Sequence, residues 1–146
     1  MTQEDKLLLL KDLSTRLPHG VILQLSLWEE KTMDCRLTSI DEDGNLTADV
    51  PADCAFSIEM VKPYLRPISS MTEKEKKKYN NLKNQFVCRV QNNNGIHYVV
   101  DIDEDSFKLY DWLNVHHFDY RGLILKGLAI PITEENNPYE KEQKEK

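Results

Sequence analysis

The chain has few cysteines, and they lie far apart. Cys35, Cys54 and Cys88 are the only three in 146 residues, and no two of them form a C-x-x-C pair. Disulfide scaffolds and zinc ribbons need sets of thiols at characteristic spacings, so the sequence argues against both classes. Free cysteine behaves as a small apolar residue, and we expect each of the three to be buried as one.

Long apolar runs and an excess of positive charge are also missing. No segment approaches the ~20 apolar residues of a membrane-spanning helix, and residues 7–10 are too short for the core of a signal peptide. Lysine and arginine number 19 against 25 aspartates and glutamates, which gives a net charge of −6. Broad binding to nucleic acid or anionic membranes requires clustered positive charge. We therefore expect a cytoplasmic protein without a membrane partner.

What is present predicts a single α+β domain over residues 1–132. A chain of this length can build one hydrophobic core without support from a metal or a disulfide. Leucines that recur at intervals of three and four predict a first helix at residues 3–17, which Pro18 and Gly20 end.

The following residues change to the period of two that is typical of strands with one buried face. Alternating segments begin at Val21, Met33 and Leu46, and a tight turn at Asp41–Asn45 joins the last two. These strands predict an antiparallel meander. With an extended segment at residues 61–68, the fold could be an SH3-like, partly open barrel.

The second half of the chain predicts more helices and one hairpin. Thr72 and Glu75 form a capping box, Asn94-Gly95 is a hairpin signal, and Gly127 is typical of a helix end. We expect helices at residues 73–85, 105–116 and 120–126, and a β-hairpin of residues 87–91 and 96–102. Residues 133–139 read TEENNPY, and the residues after them alternate Glu, Lys and Gln. We predict a disordered charged tail at 133–146 because such a segment buries little apolar surface.

The richest group of functional side chains lies between residues 112 and 122. The candidate binding residues are Trp112, His116, His117, Tyr120 and Arg121. His116, His117 and Asp119 could ligate a metal, or His117 and Asp119 could act in acid–base chemistry. However, adjacent helical residues point about 100° apart, and the H-x-x-x-H motif is absent. We assign no catalytic residue, no metal ligand and no cofactor. We instead predict that Asp119 caps the helix at 120–126 by accepting from the amide of Arg121 or Gly122.

Two other function classes stay open as alternatives. A lysine-rich helix favours nucleic-acid binding, although Glu73 and Glu75 interleave with its basic residues. Its lysines are Lys74, Lys76, Lys77, Lys78 and Lys83, with Arg66 and Tyr79 nearby. A small hydrolase or metal-dependent enzyme is the second alternative, but the nucleophile-elbow, P-loop, dinucleotide-binding and HExxH motifs are all absent from the sequence.

Residues 61–67 read VKPYLRP, and residues 112–124 read WLNVHHFDYRGLI. These segments resemble a group of small uncharacterised proteins of gut-bacterial phages and mobile elements. The resemblance implies an accessory protein made in the bacterial cytoplasm. The group has no established activity, so the resemblance carries over no catalytic or ligand-binding residue. The expected function is a non-enzymatic binding or adaptor module whose partner is a protein, with nucleic acid as the alternative.

Overall fold

The computed structural model describes residues 1–50, 55–92 and 104–140 of the chain. The helices and strands are α1 (Gln3–Arg16), β1 (Ile22–Ser26), β2 (Thr32–Ile40), β3 (Leu46–Ala48), β4 (Val61–Leu65), α2 (Glu73–Asn92), α3 (Glu104–Val115) and β5 (Ile130–Pro131). Short 3-10 turns lie at Leu17–His19, Ile58–Met60 and Ile68–Ser70. The prediction of a single α+β domain built on an antiparallel meander is confirmed.

The first helix follows from its cap and its leucine stripe. Thr2 and Asp5 form a reciprocal capping box, in which each side chain accepts from the other residue's amide. Leu9 and Leu13 are fully buried against the sheet. The helix passes into a 3-10 turn that ends at Gly20, where φ is +71° and glycine carries no Cβ penalty.

The sheet has the strand order β3-β2-β1-β4-β5. All neighbours are antiparallel except β4 and β5, which run parallel. Leu23 lies at the centre, with Cys35 opposite it on one side and Pro63 on the other. The extended segment expected at residues 61–68 supplies β4, which pairs with β1 on one side and with β5 on the other. The described strands leave the sheet open, with β3 and β5 as its edges, so they do not close into a barrel.

The hydrophobic core has two neighbouring parts. The larger part lies between α1 and the sheet, and Cys35 belongs to it as the small buried residue expected from the sequence. Burial, with Asp49 and Asp34 nearby, raises the pKa of the Cys35 thiol to about 11. The smaller part joins α2 and α3 around the fully buried ring of Phe118. In the described part of the chain, no helix combines the length and apolar character needed to cross a bilayer.

The prediction of a hairpin strand at residues 87–91 is wrong, because α2 continues through these residues to Asn92. A helix that the Thr72 cap has nucleated gains one hydrogen bond for each further residue that it fixes. The β-branched residues of this segment favour a strand only where a partner strand packs beside them. The second strand of the hairpin, at 96–102, lies outside the described residues.

The predicted helix at 120–126 is also wrong, because this segment consists of consecutive turns. Gly122 adopts a φ of +73°, which interrupts α-helical geometry near the start, and Gly127 adopts the same φ at the end. The ending itself is as expected. Leu128 N donates to Leu123 O at 2.9 Å and Gly127 N donates to Ile124 O at 3.0 Å, the two bonds of a Schellman motif.

The prediction of disorder from residue 133 is wrong for residues 133–140. This segment returns to the domain, where Pro138 is buried and the Tyr139 hydroxyl bonds to two strands. Composition averages over the whole tail and therefore hides one anchoring side chain. Residues 141–146 lie outside the described part of the chain.

Candidate functional site

Trp112 and His116, both predicted to bind a ligand, form part of a stack of rings over Phe118. The ring centroids of Trp112 lie 5.6 Å from Phe118 and 5.0 Å from His116. The guanidinium of Arg66 covers the Phe118 ring at 4.2 Å and pairs with both carboxylate oxygens of Glu75 at 2.7 Å. Burial lowers the pKa of His116, against an opposing effect of Glu75. Through these contacts, Trp112 and His116 serve as packing residues between α3 and α2.

His117 takes a separate position under the C-terminal segment. Its φ of +63° turns the chain away from α3, and its ring stacks on Tyr139 with centroids 3.7 Å apart. Burial, followed by the charge of Arg16, lowers the pKa of His117 to about 3. The Nδ1 atom is buried and has no hydrogen-bond partner among the described residues. His117 is therefore neutral at physiological pH and supports the segment that carries Tyr139.

The Tyr139 hydroxyl stands inside the sheet, between β1 and β4. It accepts from Ile22 N at 3.0 Å and donates to Tyr64 O at 2.9 Å. Leu23 is paired with Pro63, so Ile22 and Tyr64 would be the next opposing pair of this antiparallel ladder. The hydroxyl bridges the two strands at the point where they separate.

Asp119 caps backbone amides, as expected, but not the predicted ones. Its Oδ1 accepts from Leu123 N at 2.8 Å and its Oδ2 accepts from Ile124 N at 3.0 Å. The amides of Arg121 and Gly122 are not its partners. Both carboxylate oxygens are thus engaged by the backbone. Within the described residues, no group of three His, Cys, Asp or Glu side chains could hold a metal ion.

Tyr120 and Arg121, the other two predicted residues, line a cleft between α1 and α3 with a volume of about 860 Å³. This volume lies within the 300–1,000 Å³ that is usual for ligand sites. Four aromatic side chains, Tyr79, Phe107, Tyr110 and Tyr120, line it together with polar and charged ones. The polar and charged lining residues are Lys11, Ser14, Thr15, His19, Asp111, Asn114 and Arg121.

A charged cluster lies beside this cleft. Arg16 and Asp12 are fully buried on α1, and Arg16 Nε donates to Asp12 Oδ2 at 2.7 Å. Arg121 Nε lies 3.1 Å from the other oxygen, Asp12 Oδ1. The guanidinium groups of Arg16 and Arg121 both lie against the Tyr120 ring, at 5.1 and 5.2 Å from its centroid. The Tyr120 hydroxyl donates to Asn114 Oδ1 at 2.9 Å, which ties the cluster to α3.

The predicted residues therefore do not form one site. His116 and His117 share only a smaller cavity, of about 220 Å³, with Arg66 and Tyr139 among its lining residues. Asp12 and Arg16 escaped the sequence analysis, although their spacing of four residues on a helix is a readable ion-pair signal. Nothing in that spacing indicates that both side chains are buried.

The segments at residues 61–67 and 112–124 meet in the fold. Arg66 N donates to His117 O at 2.7 Å, and Asp119 N donates to Arg66 O at 2.9 Å. No family model, curated protein or solved structure matches the chain. The biochemical function of the chain is therefore inferred from the geometry of the described residues.

Proposed function

We propose that the protein is a non-enzymatic binding or adaptor module that engages a segment of another protein in the cleft between α1 and α3. The observation that carries this proposal is an aromatic wall that is open to solvent. Phe107 is 56% exposed and Tyr110 is 51% exposed, and both line the cleft. Exposed apolar side chains that adjoin a concave surface are typical of binding sites.

The composition of the cleft suits a protein ligand. Aromatic residues are enriched in the centre of protein interfaces, where they supply contact area at a low entropic cost. The Tyr120 hydroxyl donates to Asn114 Oδ1 at 2.9 Å, so this part of the wall is ordered before any ligand arrives. A preformed wall reduces the entropy lost on binding.

Binding fits the titratable groups better than catalysis does. His117 is stacked on Tyr139, His116 packs against Trp112, and both carboxylate oxygens of Asp119 accept from amides. Acid–base catalysis needs a group within hydrogen-bonding reach of the substrate and a pKa near the working pH. Burial lowers the pKa of His117 to about 3, far from that range.

Selection of peptides from a random library against the purified protein tests the proposal. We expect selected peptides to lose binding at least about fivefold with Tyr110→Ala, because a buried aromatic contact at an interface is worth about 1–2 kcal/mol or more. Trp28→Ala is the matched control. Trp28 is an 80% exposed aromatic residue at the β1–β2 turn and does not line the cleft.

Two results would contradict the proposal. Either no peptide is enriched, or the enriched peptides bind the Tyr110 variant as well as the unmodified protein. Sedimentation of the protein alone provides a further check. A dimer that Tyr110→Ala dissociates would assign the cleft to a second copy of this chain instead.

Nucleic-acid binding through α2 is the second candidate, and the exposure of its lysines favours it. Lys74, Lys77 and Lys78 are exposed, whereas Lys76 pairs with Glu73 at 3.3 Å. Arg66, which the sequence placed near this patch, is committed to Glu75. Phosphate contacts weaken steeply with salt. Fluorescence anisotropy with single- and double-stranded oligonucleotides at low salt tests this candidate, and an unchanged signal excludes it.

The resemblance of the segments at 61–67 and 112–124 adds a cellular setting to the proposal. We propose an accessory protein of a phage or mobile element that acts in the cytoplasm of its bacterial host. The genes that flank its own provide the test. Neighbours that belong to replication, packaging or anti-defence functions would support this setting, and a conserved housekeeping operon would contradict it.

A further inference from the structure

We infer that the cleft between α1 and α3 recognises a carboxylate of its partner, from an aspartate or glutamate next to an aromatic or large apolar residue. This inference rests on the proposed function, because it names the chemistry of the segment that the cleft would take. Three observations lead to it: an imbalance of charge beside the cleft, unoccupied donors on Arg121, and the aromatic wall.

The imbalance of charge arises because two arginines share one carboxylate. Asp12 pairs with Arg16 at 2.7 Å and with Arg121 at 3.1 Å, and neither arginine has another carboxylate partner among the described residues. Arg16 also donates to the carbonyl of Phe118 at 2.7 Å, and this carbonyl is uncharged. The Nη1 atom of Arg16 is buried without a hydrogen-bond partner among the described residues. A buried positive charge without a counter-charge is costly. An anion bound nearby would reduce that cost.

Arg121 is the group that can present this charge to a ligand. Its side chain is 21% exposed and lines the cleft, whereas Arg16 is fully buried. Asp12 lies beside its Nε and the Tyr120 ring beside its guanidinium plane, so the orientation of the side chain is fixed from two directions. Its two Nη groups make no hydrogen bond within the described residues. A pre-oriented guanidinium with free Nη donors is suited to bidentate recognition of a planar oxyanion.

The charge of the cleft favours a carboxylate over a phosphate. Asp12, Arg16 and Arg121 together leave one positive charge in excess, which one carboxylate neutralises. Lys11 adds a positive charge to the lining and Asp111 adds a negative one, so these two offset each other. A phosphate group carries about −1.5 to −2 at neutral pH and would exceed this single positive charge, which leaves uncompensated negative charge in the cleft. The aromatic wall formed by Phe107 and Tyr110 then accounts for the apolar neighbour of the acid.

Small probes test this inference directly, whichever protein the partner is. We expect 3-phenylpropionate to shift the NMR signals of cleft amides, among them Thr15 and Asn114. Its neutral isostere, 3-phenylpropionamide, should bind at least about fivefold more weakly, because it lacks a charge-assisted hydrogen bond. Phenyl phosphate should bind no more tightly than 3-phenylpropionate.

Variants of Arg121 test whether this side chain causes the preference for the acid over the amide. With Arg121→Gln the acid and the amide should bind equally, and with Arg121→Lys part of the preference for the acid should remain. Lys126→Gln is the matched control, since it removes the same charge from an exposed residue of the following turn that does not line the cleft. Melting curves of each variant establish that it is folded.

The outcomes separate this inference from the proposed function. If library peptides bind in the cleft but neutral and acidic peptides bind equally well, the carboxylate inference fails and the proposed function stands. Equal binding of the two small probes, tighter binding of phenyl phosphate, or the absence of any shift at the highest soluble concentration would each overturn the inference. If the selection enriches no peptide, the proposed function fails as well.

Discussion

Removal of the Tyr139 hydroxyl is the most direct test of how the C-terminal segment contributes to the fold. Tyr139→Phe retains the ring that stacks on His117 and deletes the atom that bridges Ile22 N and Tyr64 O. Each hydrogen bond contributes about 0.5–1.5 kcal/mol, and an unpaired buried group costs about 1–3 kcal/mol. Ile22 is 4% exposed, so water cannot readily replace the lost acceptor.

We therefore expect Tyr139→Phe to lower the free energy of unfolding by about 1–3 kcal/mol. For a domain of this size the Tm should fall by roughly 4–12 °C. Urea melts at constant slope give the free energy, and amide hydrogen exchange at Ile22 should accelerate in step with it. Tyr110→Phe is the matched control, because it deletes a tyrosine hydroxyl with no described hydrogen bond from a half-exposed ring, and it should change stability by less than about 0.5 kcal/mol.

The result that would refute this reasoning is a Tyr139→Phe variant as stable as the control. Such a result would mean that β1 and β4 close directly through Ile22 and Tyr64 once the hydroxyl is gone, or that residues 133–140 are detached in solution. Deletion of residues 133–146 distinguishes these cases. Detachment predicts that the deletion is also neutral, whereas closure of the ladder predicts a loss of stability, because His117 would lose its stacking partner.

Three further predictions concern the buried polar groups. Asp119→Ala should lower the free energy of unfolding by about 0.5–2 kcal/mol in a denaturant melt. The stability of Asp119→Asn should lie between that of the alanine variant and that of the unmodified protein, because asparagine retains one acceptor oxygen for two amides. Equal stability of the two variants and the unmodified protein would contradict the cap. His117 has a pKa of about 3 when folded, below its ordinary value of about 6.5, so protonation favours the unfolded chain: its contribution to stability is complete above pH ~6.5 and is lost as the pH falls towards 3. His117→Asn, which tolerates the positive φ, should flatten the slope of stability between pH 7 and 5.5 in urea melts, and an unchanged slope would contradict burial of the ring. Asp12→Ala should cost about 3–5 kcal/mol by thermal and urea melts, since it leaves Arg16 buried without its partner; a loss below about 1 kcal/mol would show that water reaches the cluster.

Local patterns in the sequence were sufficient to predict those helices, strands and turns whose signals lie within a few residues. The capping box at Thr72, the leucine stripe of α1 and the alternation of the meander each predicted an observed element, because caps and periodicity act over one or two turns. The Schellman ending at Gly127 was equally readable. The same rules failed for residues 87–91, where helix propagation and strand propensity compete and only the surroundings decide between them.

The sequence by itself thus determined an α+β domain with one amphipathic helix on an antiparallel meander, and it singled out Tyr120 and Arg121 as candidate binding residues. Only the tertiary structure decided that Asp12 and Arg16, which are more than 100 residues away from Arg121, form one charged cluster with it. It also decided that Tyr139 enters the gap between β1 and β4. Contacts between distant residues depend on how the elements pack, and neither composition nor periodicity contains that information.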